Sequence, residues 1–450
     1  MSAGPVEVDN GSVDMTTEQL RSHVAATLTR GRERTTALTS VDSDELTAQH
    51  STLMSPLVWD FAHIGNQEEL WLVRDVGGRE PVREDIDQMY DAFMSSRASR
   101  VALPLLNPTE ARSYVQTVRD KVFDVLERSP LAGRRLEEGA FAFGMVAQHE
   151  QQHAETMLAT HQLRAGRTVL HAPRPPVARG TLAPEVVVAA GEFVMGTSTE
   201  PWALDNERPA HTRHVEGFAI DTAPVTNAAW LSFLGDGGYD RPELWTAVGW
   251  AHRVAADLRS PLFWRREAGG AWSRRVFGVL EPLVDDEPVV HVCFHEAQAY
   301  ARWAGRRLPT EVEWEKAARH DPVSGRSRRW PWGDEEPTAE HANLGQRHLR
   351  PAPVGAYPAG ASALGVHQLI GDVWEWCDSG FTPYPGFEVF PYEEYSKVFF
   401  GGDYAMLCGG SFGTDKVAAR SSFRNWDHPV RRQIFAGLRT ARDLTAAERG

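Results

Sequence analysis

"AQHEQQHAETM", Ala147 to Met157, sets His149 and His153 four residues apart in a stretch otherwise made of helix formers. On an α-helix that spacing is just over one turn, so both imidazoles project from one face, close enough to hold one ion. Upstream, Ala142, Met145 and Val146 fall on the same face and turn the pair toward a core. Two other readings compete. Histidines at i, i+4 arise in many helices without a metal. "HEQQH" also fits HExxH, with Glu150 as the general base of a zinc protease. No metzincin-type extension follows, however, and the helix soon meets a proline-rich stretch.

Outward from this stretch, Thr16 to Leu170 reads as helices, over 16–39, 55–75, 107–129 and 134–166. Apolar residues recur at three and four, and Ser55 before Pro56 and Asn107 before Pro108 are usable N-caps. Four such segments predict an antiparallel bundle, a common place to build a metal site from facing helices. "HAPRPPVARGTLAP" follows and reads as a linker, assigned to 173–184. Beyond it lie short strands and loops dense in Gly, Pro and Trp, with only "HEAQAYARWAG" and "TEVEWEKAARH" reading as helices. The organisation expected is a disordered N-terminus over 1–15, a helical domain over 16–172, the linker, and a mixed domain over 185–450.

The 450 residues suffice for two or three domains, and 42% hydrophobic with 24% charged residues is ordinary for a soluble protein. No apolar run approaches the roughly 20 residues that span a bilayer, and the first residues have no export signal, so a cytoplasmic protein is expected. A net charge of -14 argues against nucleic-acid and anionic-membrane partners. Cys293, Cys377 and Cys408 are too few and too scattered for a disulfide framework, and read as buried or incidental thiols.

A bundle site needs a ligand from a second helix, and His63 is the best candidate. Trp59 and Asp60 precede it by four and three, and its strip includes Pro56 and Leu70. A core histidine bonded to a backbone carbonyl is the competing reading. Three neutral imidazoles leave open positions on a metal and suit Zn(II), Fe(II) or Cu(II) alike.

"SPLVWDFAHIGNQEELWLVRD" with "HEQQHAETML" resembles the DinB-like helical domain of the ergothioneine-biosynthesis sulfoxide synthases. "DNERPAH", "PVTNAAW", "RLPTEVEWEKAAR", "GDVWEW" and "GGSF" resemble the C-type-lectin-like fold that this family shares with formylglycine-generating enzymes. The resemblance runs from about Arg34 to Arg442 and implies an α+β chain, a DinB-like four-helix bundle followed by a C-type-lectin-like domain. It implies a non-haem Fe(II)- and O2-dependent enzyme that joins a thiol sulfur to C2 of the hercynine imidazole as a sulfoxide. His63, His149 and His153 match the family's iron ligands.

Further roles follow from the same resemblance. Tyr392 in "FPYEEYSKVFF" matches the proton donor, with Tyr404 as the competing assignment, and Tyr395 matches a pocket residue. Gln152, Asn425 and Trp426 match hercynine contacts; an aromatic face suits the trimethylammonium group. Arg97, Arg100, Asp427 and Arg431 match the γ-glutamylcysteine site of the actinobacterial branch, Asp427 accepting from the ammonium and the arginines gripping carboxylates. "GDVWEW" and "GGSF" are assigned packing roles, and a structural cation near Asn343 and Asp372 has no support from sequence alone. A monomer is expected.

Two positions depart from the family pattern. Cys408 stands where arginine is expected, and Phe412 where tryptophan is expected. The rivals are the same reaction with free cysteine, a DinB-like metal-dependent thiol S-transferase, and a formylglycine-type enzyme, for which no second cysteine follows Cys408. A lectin-like binding module would leave the three histidines unexplained.

Overall fold

The computed structural model describes residues 15–166 and 168–448, so the N-terminus expected over 1–15 lies, apart from Met15, outside the described residues. Four long helices form the first half: α1 (Thr17–Leu38), α2 (Leu57–Glu68), α3 (Pro108–Arg128) and α4 (Phe141–Leu163). α1 opens with a capping box of Thr16 and Gln19, and α3 with one of Asn107 and Glu110. Their apolar stripes meet in one core that includes Leu28, Val58, Ala62, Val118, Val122, Val146 and Leu158.

Two helix starts differ from expectation. Ser55 does not cap α2; its hydroxyl accepts from Arg100 instead, at 2.8 Å, and the helix begins after Pro56. α4 begins at Phe141 rather than Arg134, because Gly139 and Ala140 adopt left-handed backbone at φ 58° and 60° and break the run. α2 continues into a π-helical turn, Glu69–Val76, that carries Trp71.

In the second half a four-stranded sheet runs in the order Asn425–Asp427, Ala405–Cys408, Trp374–Gly380, Ala436–Gly437. A second sheet pairs the strand Phe218–Asp221 with Glu185–Val188 on one side and Ala441–Asp443 on the other, joining the two ends of this half. The helices Phe294–Trp303 and Glu311–Arg319 lie where the sequence predicts them. Asn227–Gly235 and Ala247–Ala255 are additional helices of nine residues each, too short for a clear helical period. "GDVWEW" is a packing motif: Trp376 is fully buried, and Glu375 accepts from Trp314 at 2.7 Å and from the buried Arg439 at 2.6 Å.

The carboxylate of Asp372 is filled by protein donors: Ala352 N at 2.7 Å, Asn343 Nδ2 at 2.8 Å and Gln368 Nε2 at 2.9 Å. All three cysteines are free and buried. Cys377 and Cys408, on neighbouring strands, bring their sulfurs to 3.7 Å. No helix among the described residues is long and apolar enough to cross a membrane.

Candidate active site

α4 divides its circumference among three tasks. Each residue advances about 100°, so His149 and His153 share one face, Glu150 points to one flank, and Gln148, Gln152 and Glu155 share the other. The Glu150 flank enters the bundle core. There the carboxylate accepts from Arg32 at 2.8 Å, Arg119 at 2.7 Å and Thr35 at 2.7 Å. Burial alone would raise its pKa, but the two guanidinium groups outweigh it and hold the carboxyl at about 2. Glu150 is therefore a structural anion turned away from the histidines, not a general base.

On the histidine face, α2 supplies His63. One nitrogen from each of His63, His149 and His153 lies within 4.8 Å of the others. His63 Nδ1 sits 2.6 Å from the Tyr90 carbonyl, which can only accept, so Nδ1 carries the proton and Nε2 keeps its lone pair. The core-histidine reading is thus right about one nitrogen and silent about the other. His153 Nδ1 likewise donates to Asp60 Oδ1 at 3.0 Å and leaves its Nε2 free. Asp60 and the Tyr90 carbonyl orient the rings as partners outside a metal's own ligands usually do.

His63 Nε2 and His149 Nε2 stand 3.1 Å apart, and burial pushes both pKa values well below the ordinary histidine range. Neighbouring histidines depress His63 further. A metal holding two imidazole nitrogens at about 2.1 Å and a right angle sets them about 3 Å apart. Three imidazole nitrogens gathered this closely, with the opposite nitrogens of His63 and His153 already bonded, fit a divalent transition metal.

The Gln152 flank faces the lectin-like half. Gln152 Nε2 reaches the Tyr395 hydroxyl at 3.4 Å, and the Tyr395 ring stands edge-on to Trp426, 6.3 Å between centroids. Trp426 is stacked on Phe381 at 3.9 Å with Phe399 5.5 Å away, and Asn425 precedes it on the same strand. Tyr392 stacks on Trp71 of the π-helical turn at 5.1 Å and stands 6.2 Å from Tyr395. Burial pushes both tyrosine hydroxyls well above their ordinary pKa, so both keep their protons at neutral pH. Tyr404 stacks on His428 at 4.5 Å and lies beside Phe399, Asp427 and Arg431.

Asp427 and Arg431 approach to 3.4 Å, and Arg97 is close enough to act on both electrostatically. Arg100 is held differently from the others. Its terminal nitrogens donate to Ser55 at 2.8 Å and to the Ala92 carbonyl at 3.0 Å, and its guanidinium lies 3.5 Å over Trp59, which stacks on His63. Arg100 Nε and Arg431 Nη1 are buried donors with no partner. The sequence reading did not pick out Trp71 or Glu155; Trp59 and Asp60 were visible only as the residues four and three before His63 in an apolar helix.

Residues 27–157 match the DinB superfamily, and residues 172–444 match the sulfatase-modifying factor enzyme 1-like domain. A hercynine oxygenase of Mycolicibacterium smegmatis is 51% identical over 434 residues, 94% of this chain and 99% of that protein. One of Mycobacterium tuberculosis is 53% identical over 433 residues, 95% of this chain and 99% of its own. A formylglycine-generating enzyme of Streptomyces coelicolor is 35% identical over 283 residues, 56% of this chain and 86% of that enzyme.

Proposed function

Because the chain belongs to the hercynine oxygenase family, we propose that it is an Fe(II)- and O2-dependent sulfoxide synthase joining hercynine to γ-glutamylcysteine. The product is γ-glutamyl-hercynylcysteine S-oxide. One O2 balances the reaction. The imidazole C2–H and the thiol S–H are lost, the C–S and S–O bonds form, and the second oxygen leaves as water. The observation that carries the reading is the meeting of three converging imidazole lone pairs with an aromatic and amide wall from the other half of the chain.

His63, His149 and His153 would hold the iron. When bound, the metal supplies the oxygen chemistry and favours the thiolate form of the co-substrate. Trp426, with Tyr395 at its edge, offers the trimethylammonium group an aromatic surface that needs no counter-charge. Gln152 serves the imidazole and Asn425 the hercynine contact beside it. Tyr392 keeps its proton at neutral pH, which a donor near the reacting oxygen requires, and Trp71 holds its ring.

γ-Glutamylcysteine carries two carboxylates and one ammonium. Arg97, Arg431 and the unpartnered Nε of Arg100 suit the carboxylates, and Asp427 suits the ammonium. Free cysteine, the second reading, has one carboxylate and would leave guanidinium groups unmatched. A thiol S-transferase would leave Tyr392 and the Trp426 wall without a task. The expected form is a cytoplasmic monomer.

The test is anaerobic reconstitution with Fe(II), then O2 with hercynine and either thiol, reading products by mass. A sulfoxide adduct formed faster with γ-glutamylcysteine is expected. Thiol oxidation with hercynine untouched would sink the reading.

A further inference from the structure

Glu155 lies two residues past His153, on the flank of α4 that faces the lectin-like half. No Lys or Arg among the described residues pairs with it, yet its carboxylate takes three hydrogen bonds from that half. Trp374 Nε1 donates to Oε1 at 2.8 Å, Ser411 Oγ to Oε1 at 2.5 Å and Thr414 Oγ1 to Oε2 at 2.6 Å. A buried carboxyl group held only by neutral donors depends on all of them being in place, because an unmatched buried oxygen carries a full desolvation cost.

The donors are themselves fixed. Gly413 N donates to Ser411 Oγ at 2.9 Å, and Ser411 N to Thr414 Oγ1 at 2.8 Å, so the loop 411–414 is shaped before it meets the helix. Gly413 lets the loop lie close: a Cβ there would sit 3.1 Å from Glu155 Cγ and 3.2 Å from Leu158 Cδ2. Trp374 begins the strand Trp374–Gly380, and the loop follows the strand Ala405–Cys408, which pairs with Asn425–Asp427 through Leu407 and Asn425. One carboxylate on the histidine helix thus ties that helix to two strands of the sheet whose next strand bears Asn425, Trp426 and Asp427. Gln148, seven residues earlier on the same flank, makes a second tie, donating to the Trp202 carbonyl at 2.9 Å and accepting from Arg420 at 2.8 Å.

We propose that Glu155 is a positioning residue that sets the register of the metal-binding helix against the hercynine wall, and so partitions the product between carbon–sulfur bond formation and thiol oxidation. This role of Glu155 rests on the reaction proposed above. In the competing outcome the thiol and O2 give the sulfinic acid, with no bond to hercynine. Glu155→Gln presents an NH2 where a carboxylate oxygen accepted, setting a donor against a donor.

The experiment compares wild type, Glu155→Gln, Thr414→Val and Thr414→Ser, each loaded with Fe(II) and assayed with hercynine and γ-glutamylcysteine. Wild-type iron content and cooperative unfolding are expected throughout. For Glu155→Gln and Thr414→Val, the KM for hercynine should rise roughly tenfold and the sulfinate share of product should increase, as for loss of one or two buried hydrogen bonds. Thr414→Ser, which keeps the hydroxyl, should restore both. Thr414→Val carries the same test from the sheet side should Glu155→Gln fail to fold. Wild-type KM and product ratio in both disruptive variants, with wild type active, would overturn the positioning role of Glu155 alone. A wild-type protein that never consumes hercynine would instead sink the reaction, and the partition with it.

Discussion

Glu150 follows His149 in the chain yet belongs to another part of the molecule. It neutralises Arg32 and Arg119 in the bundle core, both of which also pair with Glu68. Glu150→Gln should therefore destabilise the protein by about 3–5 kcal/mol, the usual cost of stranding buried partner charges. Chemical denaturation checks it, and an unchanged midpoint would deny the network its role. His149→Ala removes one of three converging lone pairs; iron content measured after reconstitution should fall well below one equivalent. Tyr392→Phe keeps the stack on Trp71 and loses only the hydroxyl. Its product mixture should shift from sulfoxide toward sulfinate, and a normal ratio would move the donor role to Tyr404. Arg431→Ala should raise the thiol KM roughly 10- to 100-fold, the worth of one charge-assisted contact, with hercynine KM little changed.

At the scale of the element, α4 is the part of the molecule on which most depends. Its histidine face needs exact depth, its Glu150 flank anchors in the bundle, and its Gln148–Glu155 flank meets the sheet. Gly144 shows how tightly that flank is fitted, since a Cβ there would stand 2.3 Å from the Trp202 ring. Gly144→Ala should lower thermal stability more than the ~1 kcal/mol gained from helix propensity could offset, because ring atoms rather than a flexible tip stand in the way. The opposite result, a Tm at or above wild type, would mean that the two halves are not pressed together here.

Across the whole molecule, buried groups give stability a pH dependence. Burial lowers His161, bonded to the Leu38 carbonyl at 2.7 Å, to about 4, and His291 to about 3, from an ordinary value of 6.5. Below 6.5 the unfolded chain takes up protons that the folded one refuses, so stability falls as pH drops from 6.5 toward these values. For His161 alone that amounts to about 3 kcal/mol by pH 4. Asp372, raised by burial from 3.8 to about 6, has the opposite sign: its cost appears as pH rises through that interval. The histidine shifts are together larger, so unfolding midpoints should decline from pH 6.5 to 4. His161→Gln should flatten the curve, and an equally steep decline would place its cause elsewhere.

The two-part architecture and the His149–His153 pair were legible in the amino-acid order, because helical periodicity, caps and a four-residue spacing are local properties that the backbone expresses wherever the segment lies. Motif resemblance extended that reading to His63 and to Tyr395, Asn425 and Trp426, of which Tyr395 and Trp426 are distant in the chain and neighbours in the fold. The tertiary structure decided what each polar side chain does with its hydrogen bonds. Ser55 and Asn107 carry the same local signal before a proline, yet only Asn107 caps its helix, because Arg100 arrives from another segment to occupy Ser55. "GGSF" reads locally as a turn, and only the meeting of the halves turns its serine toward Glu155. Hydrogen bonds and ion pairs form between groups brought together by the packing of distant apolar surface, so their partners are set by the assembled core and not by neighbours in the sequence.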